Sequence, residues 1–151
     1  MFPAPPTPYY SLVQTSIDGR PAVVAVNSAL RRFSGRAGYP WHLRVTIECV
    51  SLGDNQMPTN EEQQVIDVIG DEIVASVEVD ENAIFLARIT AAGERVILCR
   101  VADPETAYSA LQALVSSGGN TREWSFWMEK DEDWKLARPE LELLERSRIV
   151  N

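Results

Sequence analysis

Strict alternation of apolar and polar residues runs from His42 to Cys49. Leu43, Val45, Ile47 and Cys49 fall on one side; Arg44, Thr46 and Glu48 fall on the other. A period of two predicts a strand with one buried face. After a turn at residues 53–58, Thr59 and Glu62 have capping-box spacing. Apolar positions then recur at Val65 or Ile66, Ile69, Ile73 and Val77, which predicts a helix over 59–77 with one buried stripe. Residues 83–90 and 95–101 read as strands joined by a turn around Gly93. Asp103-Pro104 opens a second helix, an N-cap followed by proline at the first helical position. Its expected stripe is Ala107, Tyr108, Leu111, Leu114 and Val115, and Gly118-Gly119 ends it. A last strand covers 121–129, and a helix is expected at about 139–147.

Upstream, residues 9–17 and 21–26 are strand-like runs separated by Asp18-Gly19, a strong hairpin signal. Asn27 and Ser28 are positioned to cap a short helix at 29–33. The prolines at 3, 5, 6 and 8 suggest an extended lead-in. The order over 41–129 is β-α-β-β-α-β. The expected fold class is therefore α+β: a ferredoxin-like four-stranded antiparallel sheet with both helices on one face. Right-handed crossovers put the strands at Trp41 and Arg95 at its centre. The hairpin at 9–27 must then extend an edge or cover the free face, and residues 134–151 supply a C-terminal helical segment.

Composition changes this picture only at its margins. A chain of 151 residues, 45% hydrophobic and 24% charged, is expected to form a single domain with a real core. No apolar run is long enough to span a bilayer, and residues 1–8 lack the basic and apolar regions of a secretory signal. Cys49 and Cys99 are isolated in sequence, which suits buried, reduced thiols and a cytoplasmic location. The net charge of −8 is uneven. Residues 1–50 carry five arginines against two acids, a local +3, and the remainder carries −11. Nucleic-acid binding is disfavoured by that balance, and a basic protein partner is favoured.

Several stretches resemble a bacterial domain-of-unknown-function family, the one numbered six hundred and ninety-five. They are Asp18-Gly19-Arg20-Pro21-Ala22 through Asn27, Tyr39-Pro40, Asn55-Gln56-Met57-Pro58 with Glu61-Glu62, and Asp131-Glu132-Asp133-Trp134. Gln56 stands where the family pattern has a small residue. The resemblance implies an association with ferredoxin-like inhibitors of ribonuclease E of the regulator B kind. It thus implies a regulatory, partner-binding role and no catalytic residues.

The chemistry-bearing residues point the same way. His42 is the sole histidine, and nothing in the sequence brings it to a serine or cysteine. One histidine and two isolated cysteines make no zinc set, and no glycine-rich phosphate loop occurs. No catalytic, cofactor or metal residues are assigned, and no enzyme activity is expected. Asp131, Glu132 and Asp133 could hold a hard cation, but a solvated acidic turn is the simpler reading. Glu61, Glu62, Asp67, Asp71 and Glu72 read as a wet helix face.

Alternation puts Val45, Ile47, Phe85, Ile89, Ile97, Cys99, Trp124 and Phe126 on the core side. The opposite side displays Arg44, Thr46, Glu48, Leu86, Arg88, Leu98, Arg100, Glu123, Ser125 and Trp127. That face is either a mixed binding surface, as on modules that stack single-stranded RNA, or a face covered by the hairpin and the C-terminal segment. The expected function is a non-catalytic regulatory or inhibitory domain that docks an acidic surface on a basic protein. The alternatives are an RNA-associated module and a small carboxylate hydrolase. Candidate partner-binding residues are Arg44, Glu48, Arg88, Arg100, Trp127, Asp131, Glu132, Asp133 and Trp134. Self-association is left open.

Overall fold

The computed structural model describes residues 3–119 and 121–147. The first and last residues of the expected lead-in and C-terminal helical segment (1–2 and 148–151) lie outside that range. Six strands form one antiparallel sheet: β1 Tyr10–Ile17, β2 Arg20–Asn27, β3 Trp41–Glu48, β4 Ala83–Ala91, β5 Glu94–Val101 and β6 Trp124–Lys130, in the order β1-β2-β4-β5-β3-β6. Three α-helices accompany them: α1 Asn60–Val77, α2 Pro104–Ser116 and α3 Arg138–Ser147.

The α+β class is as expected, but the sheet has six strands, not four. The hairpin joins the sheet edge beyond β4 instead of covering a face. Asp18 and Gly19 both adopt left-handed φ, 51° and 78°, the backbone of a tight two-residue hairpin turn. Ala92 and Gly93 repeat it between β4 and β5 at 52° and 79°.

Two apolar cores lie on opposite faces of the sheet. On one face, Leu43, Val45, Ile47, Ile97, Cys99 and Val101 meet Ile66, Ile69, Ile73 and Val77 of α1 and Ala107 and Leu111 of α2. Both helices thus cover the same face. Tyr108 and Val115 of the expected α2 stripe are exposed, because only Ala107 and Leu111 reach full burial. On the other face, Val13, Val24, Val26, Leu86 and Leu98 meet Leu30, Phe33, Tyr39, Trp134, Ala137, Leu141 and Leu144. The side of the sheet that could have been open is therefore closed by the 30–39 segment and α3.

One irregularity reorders a face. The β4–β5 register shifts between Phe85 and Ala87, a bulge that inserts an extra residue. Leu86 and Ala87 both end in the α3-side core. Beyond the bulge the alternation is inverted: Ile89 packs on the α3 side and Arg88 turns to the α1 side, the reverse of a simple period-two reading.

Local capping follows the sequence in part. Thr59 accepts a hydrogen bond from the Glu62 amide, and Asp103 accepts from the Glu105 amide ahead of Pro104. Asn27 caps nothing. Its side chain takes the Tyr9 amide at 3.2 Å and donates to the Phe85 carbonyl at 3.0 Å, stitching the lead-in to β4, and residues Ser28–Arg32 form a 3₁₀ turn. Among the described residues no helix is long and apolar enough to cross a membrane.

Candidate functional site

The candidate partner-binding residues separate into interior and surface groups. Arg100 is fully buried, and its Nη1 donates to Asp131 Oδ2 at 2.8 Å while its Nη2 donates to the Asp131 carbonyl at 2.6 Å. Burial alone would raise the Asp131 carboxyl. The Leu136 amide and Arg100 outweigh it and hold the group below the usual carboxylate range. Asp131 is therefore an interior counter-ion and belongs to neither a solvated acidic turn nor a docking surface.

Trp134 is 2% exposed. Its ring lies between the guanidiniums of Arg100 and Arg36, whose carbons stand 4.6 and 4.8 Å from the ring centroid. Its Nε1 donates to the carbonyls of Arg36 and Tyr39 at 3.0 and 3.1 Å. Its backbone takes the left-handed region, φ 57°, which a bulky residue occupies only when its surroundings enforce it. The indole locks the C-terminal segment onto the sheet, so it is not a surface anchor. Glu132 and Asp133 are exposed, as expected for the rest of the turn.

His42 is buried behind this network. Arg100 Nη1 lies 3.2 Å from its Nδ1, and a guanidinium can only donate, so Nδ1 is the unprotonated acceptor of a neutral ring. Burial first, then the charges of Arg100 and Arg44, pushes the imidazole down to about 4, with Asp131 pulling the other way. Arg44 is half-buried and sits opposite Trp127 in the β3–β6 register; Trp127 is 45% exposed, and Glu48 is exposed at the strand end.

The expected wet face of α1 also contains a surprise. Glu62 is 2% exposed. Its carboxylate takes Arg122 Nε and Nη2 at 2.7 and 2.6 Å and the Val50 amide at 2.7 Å. The Arg122 hydrogen bond, reinforced by the Val50 and Ser51 amides, outweighs burial and holds the acid at about 2. It ties α1 to the loop after β3 and to the entry of β6. Cys99 is buried, and burial pushes its thiol far up. Cys49 is only half-buried, just beyond the end of β3, and its thiol is raised by the same cause.

Where the hairpin widens the sheet, α1 does not follow. One cross-strand row on the α1 side runs Leu12–Ala25–Arg88–Ile97. The Ile97 end lies under α1, seated closely because position 70 is glycine: a Cβ there would come within 2.9 Å of Ile97 Cδ1. The Leu12 end is open. Between lies a cleft of about 550 Å³, floored by Leu12, Ala25, Phe85 and Ile97 and walled by Gly70, Val74 and Ala75 of α1.

At one end of that cleft, Arg95 is 1% exposed, fixed by Thr90 at 2.8 Å and Asp67 at 2.7 Å. Arg88 stands 3.7 Å from the same Asp67 oxygen, which is its ion partner among the described residues. One carboxylate thus serves two guanidiniums and leaves that end cationic. Asp71 and Glu78 lie along the α1 rim. The sequence held the parts of this site but no local motif. Only the bulge brings Arg88 to the α1 side, and only the hairpin's edge position makes a cleft. Among the described residues no group of three or more histidine, cysteine, aspartate or glutamate side chains could hold a metal ion.

These features define an α+β domain built on a six-stranded antiparallel sheet covered on both faces, with an open cleft on the hairpin side. Its sequence matches the model of a family of unknown function, DUF695, over residues 10–137, and the chain belongs to that family. A comparison with curated proteins finds no match.

Proposed function

We propose that this chain is a non-catalytic binding domain that holds a segment of a protein partner in the cleft between α1 and the hairpin. The cleft carries the reading: a trough of about 550 Å³ with an apolar floor, two arginines at one end and the carboxylates of Asp67, Asp71 and Glu78 along its α1 wall. Binding sites are typically of this size, mostly apolar, with few polar groups that fix orientation. The occupant that fits is an extended segment with bulky apolar side chains and an anionic group on Arg88. A net charge of −8 would draw a basic partner to the surface, with the cleft as anchor. The non-catalytic part is supported by where the reactive groups lie: His42, Glu62, Asp131 and Cys99 are all held in interior contacts. The regulatory part rests on the family resemblance alone.

Two coarser features are read further. The sub-sheet β4-β5-β3-β6 with α1 and α2 on one face is consistent with a ferredoxin-like core, extended by the hairpin into a single domain. Two free thiols, one fully buried, suit a reducing bacterial cytoplasm.

The test uses 8-anilinonaphthalene-1-sulfonate, an apolar anion, as a fluorescent probe on the native protein. Saturable enhancement is expected. Arg88→Glu should weaken it roughly tenfold, the equivalent of one charge-assisted hydrogen bond of about 1.5 kcal/mol. Val74→Asp should abolish it, and Trp127→Ala should leave it unchanged. Enhancement indifferent to both cleft variants would sink the proposal.

A further inference from the structure

We propose that a second copy of this chain pairs with β1, joining two sheets edge to edge about a two-fold axis. Among the described residues β1 is an edge strand, with β2 its one neighbour in the sheet. Protected edges carry charges, prolines or bulges, or are short or covered. The eight residues Tyr-Ser-Leu-Val-Gln-Thr-Ser-Ile of β1 have no charge and no proline, and their pairing with β2 is unbroken. Among the described residues the lead-in does not shield the edge: Pro5, Pro6 and Pro8 line a groove with Asn27, Glu78 and residues 83–85. Tyr9, Tyr10, Leu12 and Ile17 are exposed, at 70%, 61%, 69% and 42%.

The backbone phase selects a register. Tyr9 turns both its amide and its carbonyl toward β2, bonding Asn27 Oδ1 and the Ser28 amide. Alternation then points the amides and carbonyls of Tyr10, Leu12, Gln14 and Ser16 outward. An antiparallel copy with Val13 opposite Val13 sets Tyr10 against Ser16 and Leu12 against Gln14, each pair outward-facing on both strands. That register makes about eight inter-strand hydrogen bonds, two per pair, and strands no outward group between Tyr10 and Ser16. A two-fold normal to the sheet keeps like faces together, so the two clefts would share a floor.

Charge also selects this surface. Two molecules of net charge −8 repel across most approaches, yet residues 9–27 carry only Asp18 and Arg20 and are neutral. Association at this edge should therefore strengthen with added salt, which screens the remaining charge.

Sedimentation of the full chain over a range of concentrations should show a species of twice the chain mass, more abundant at high salt. Gln14→Pro removes an outward amide that takes no part in the β1–β2 ladder, so it should yield a monomer with unchanged circular dichroism and melting temperature. Leu12→Lys, at an open position, gives a second route to the monomer should proline disturb the strand. Oxidised Val13→Cys should form a reducible cross-link absent from the parent, which retains Cys49 and Cys99. A monomer at every concentration and salt would overturn the proposal, as would a dimer that survives both Gln14→Pro and Leu12→Lys. Leu12 also floors the cleft, so the readouts independent of cleft binding are Gln14→Pro and the Val13→Cys cross-link, and Arg88 and Val74 play no part in any of them.

Discussion

His42 illustrates how a residue that looks available for chemistry is committed by its neighbours. In the folded protein its imidazole titrates near 4, against an ordinary value of 6.5, because burial and Arg100 oppose a second positive charge. The folded pKa lies below the unfolded one, so the unfolded chain takes up its proton first as pH falls. The stabilising contribution of the neutral ring is complete above about 6.5 and is lost progressively toward 4, in total roughly 3 kcal/mol. Glu62, held at about 2 against 4.5, adds its own loss only in the lower window between those values. Urea titrations from pH 7 to 4 should show stability falling well before ordinary carboxylates protonate. His42→Gln, which keeps an acceptor for Arg100 but cannot titrate, should flatten that slope. An unchanged slope in the variant would place the proton uptake elsewhere.

Among the elements, those specified by local rules were readable and those specified at long range were not. The alternation of 42–49, the Thr59 cap, the Asp103-Pro104 start and the Asp18-Gly19 turn each lie within a few residues, and each appears in the structure. The bulge near Leu86 is one extra residue in a run that alternates acceptably without it, so simple alternation puts Arg88 and Ile89 on the wrong faces. Glu62 satisfied a capping-box spacing and looked explained, yet its carboxylate pairs with Arg122, sixty residues away in sequence. Trp134 closed an acidic turn by sequence but lies inside a stack with Arg36 and Arg100. Of the candidate site, Glu48, Trp127, Glu132 and Asp133 lie exposed at the surface, and the cleft follows from topology alone. The Glu62–Arg122 tie has an element-level consequence: it pins the N-terminal turn of α1 to the start of β6. Arg122→Ala leaves a buried acid unpaired, so it should destabilise the fold more than the double variant Arg122→Ala/Glu62→Gln does. Equal losses in the single and double variants would show that the pair is not coupled.

At the scale of the whole molecule, the sheet is a wall shared by two cores. β4 and β5 contribute to both, with Leu86 and Leu98 on one side and Ala83, Ile97 and Cys99 on the other. Neither core can dissolve while the other keeps those strands paired, so the domain should unfold as one cooperative unit. Trp134 makes that checkable by light. Of the four tryptophans it alone is buried, enclosed by two guanidiniums, while Trp127 meets solvent. With Trp41, Trp124 and Trp127 replaced by phenylalanine, the remaining emission should be blue-shifted and shielded from acrylamide, and it should report only the α3 side of the wall. Its red shift in denaturant should coincide with the loss of far-ultraviolet circular dichroism; an earlier shift would mean that the C-terminal segment peels away first. The indole that holds the last helix in place thus doubles as an intrinsic lamp on the seam it closes.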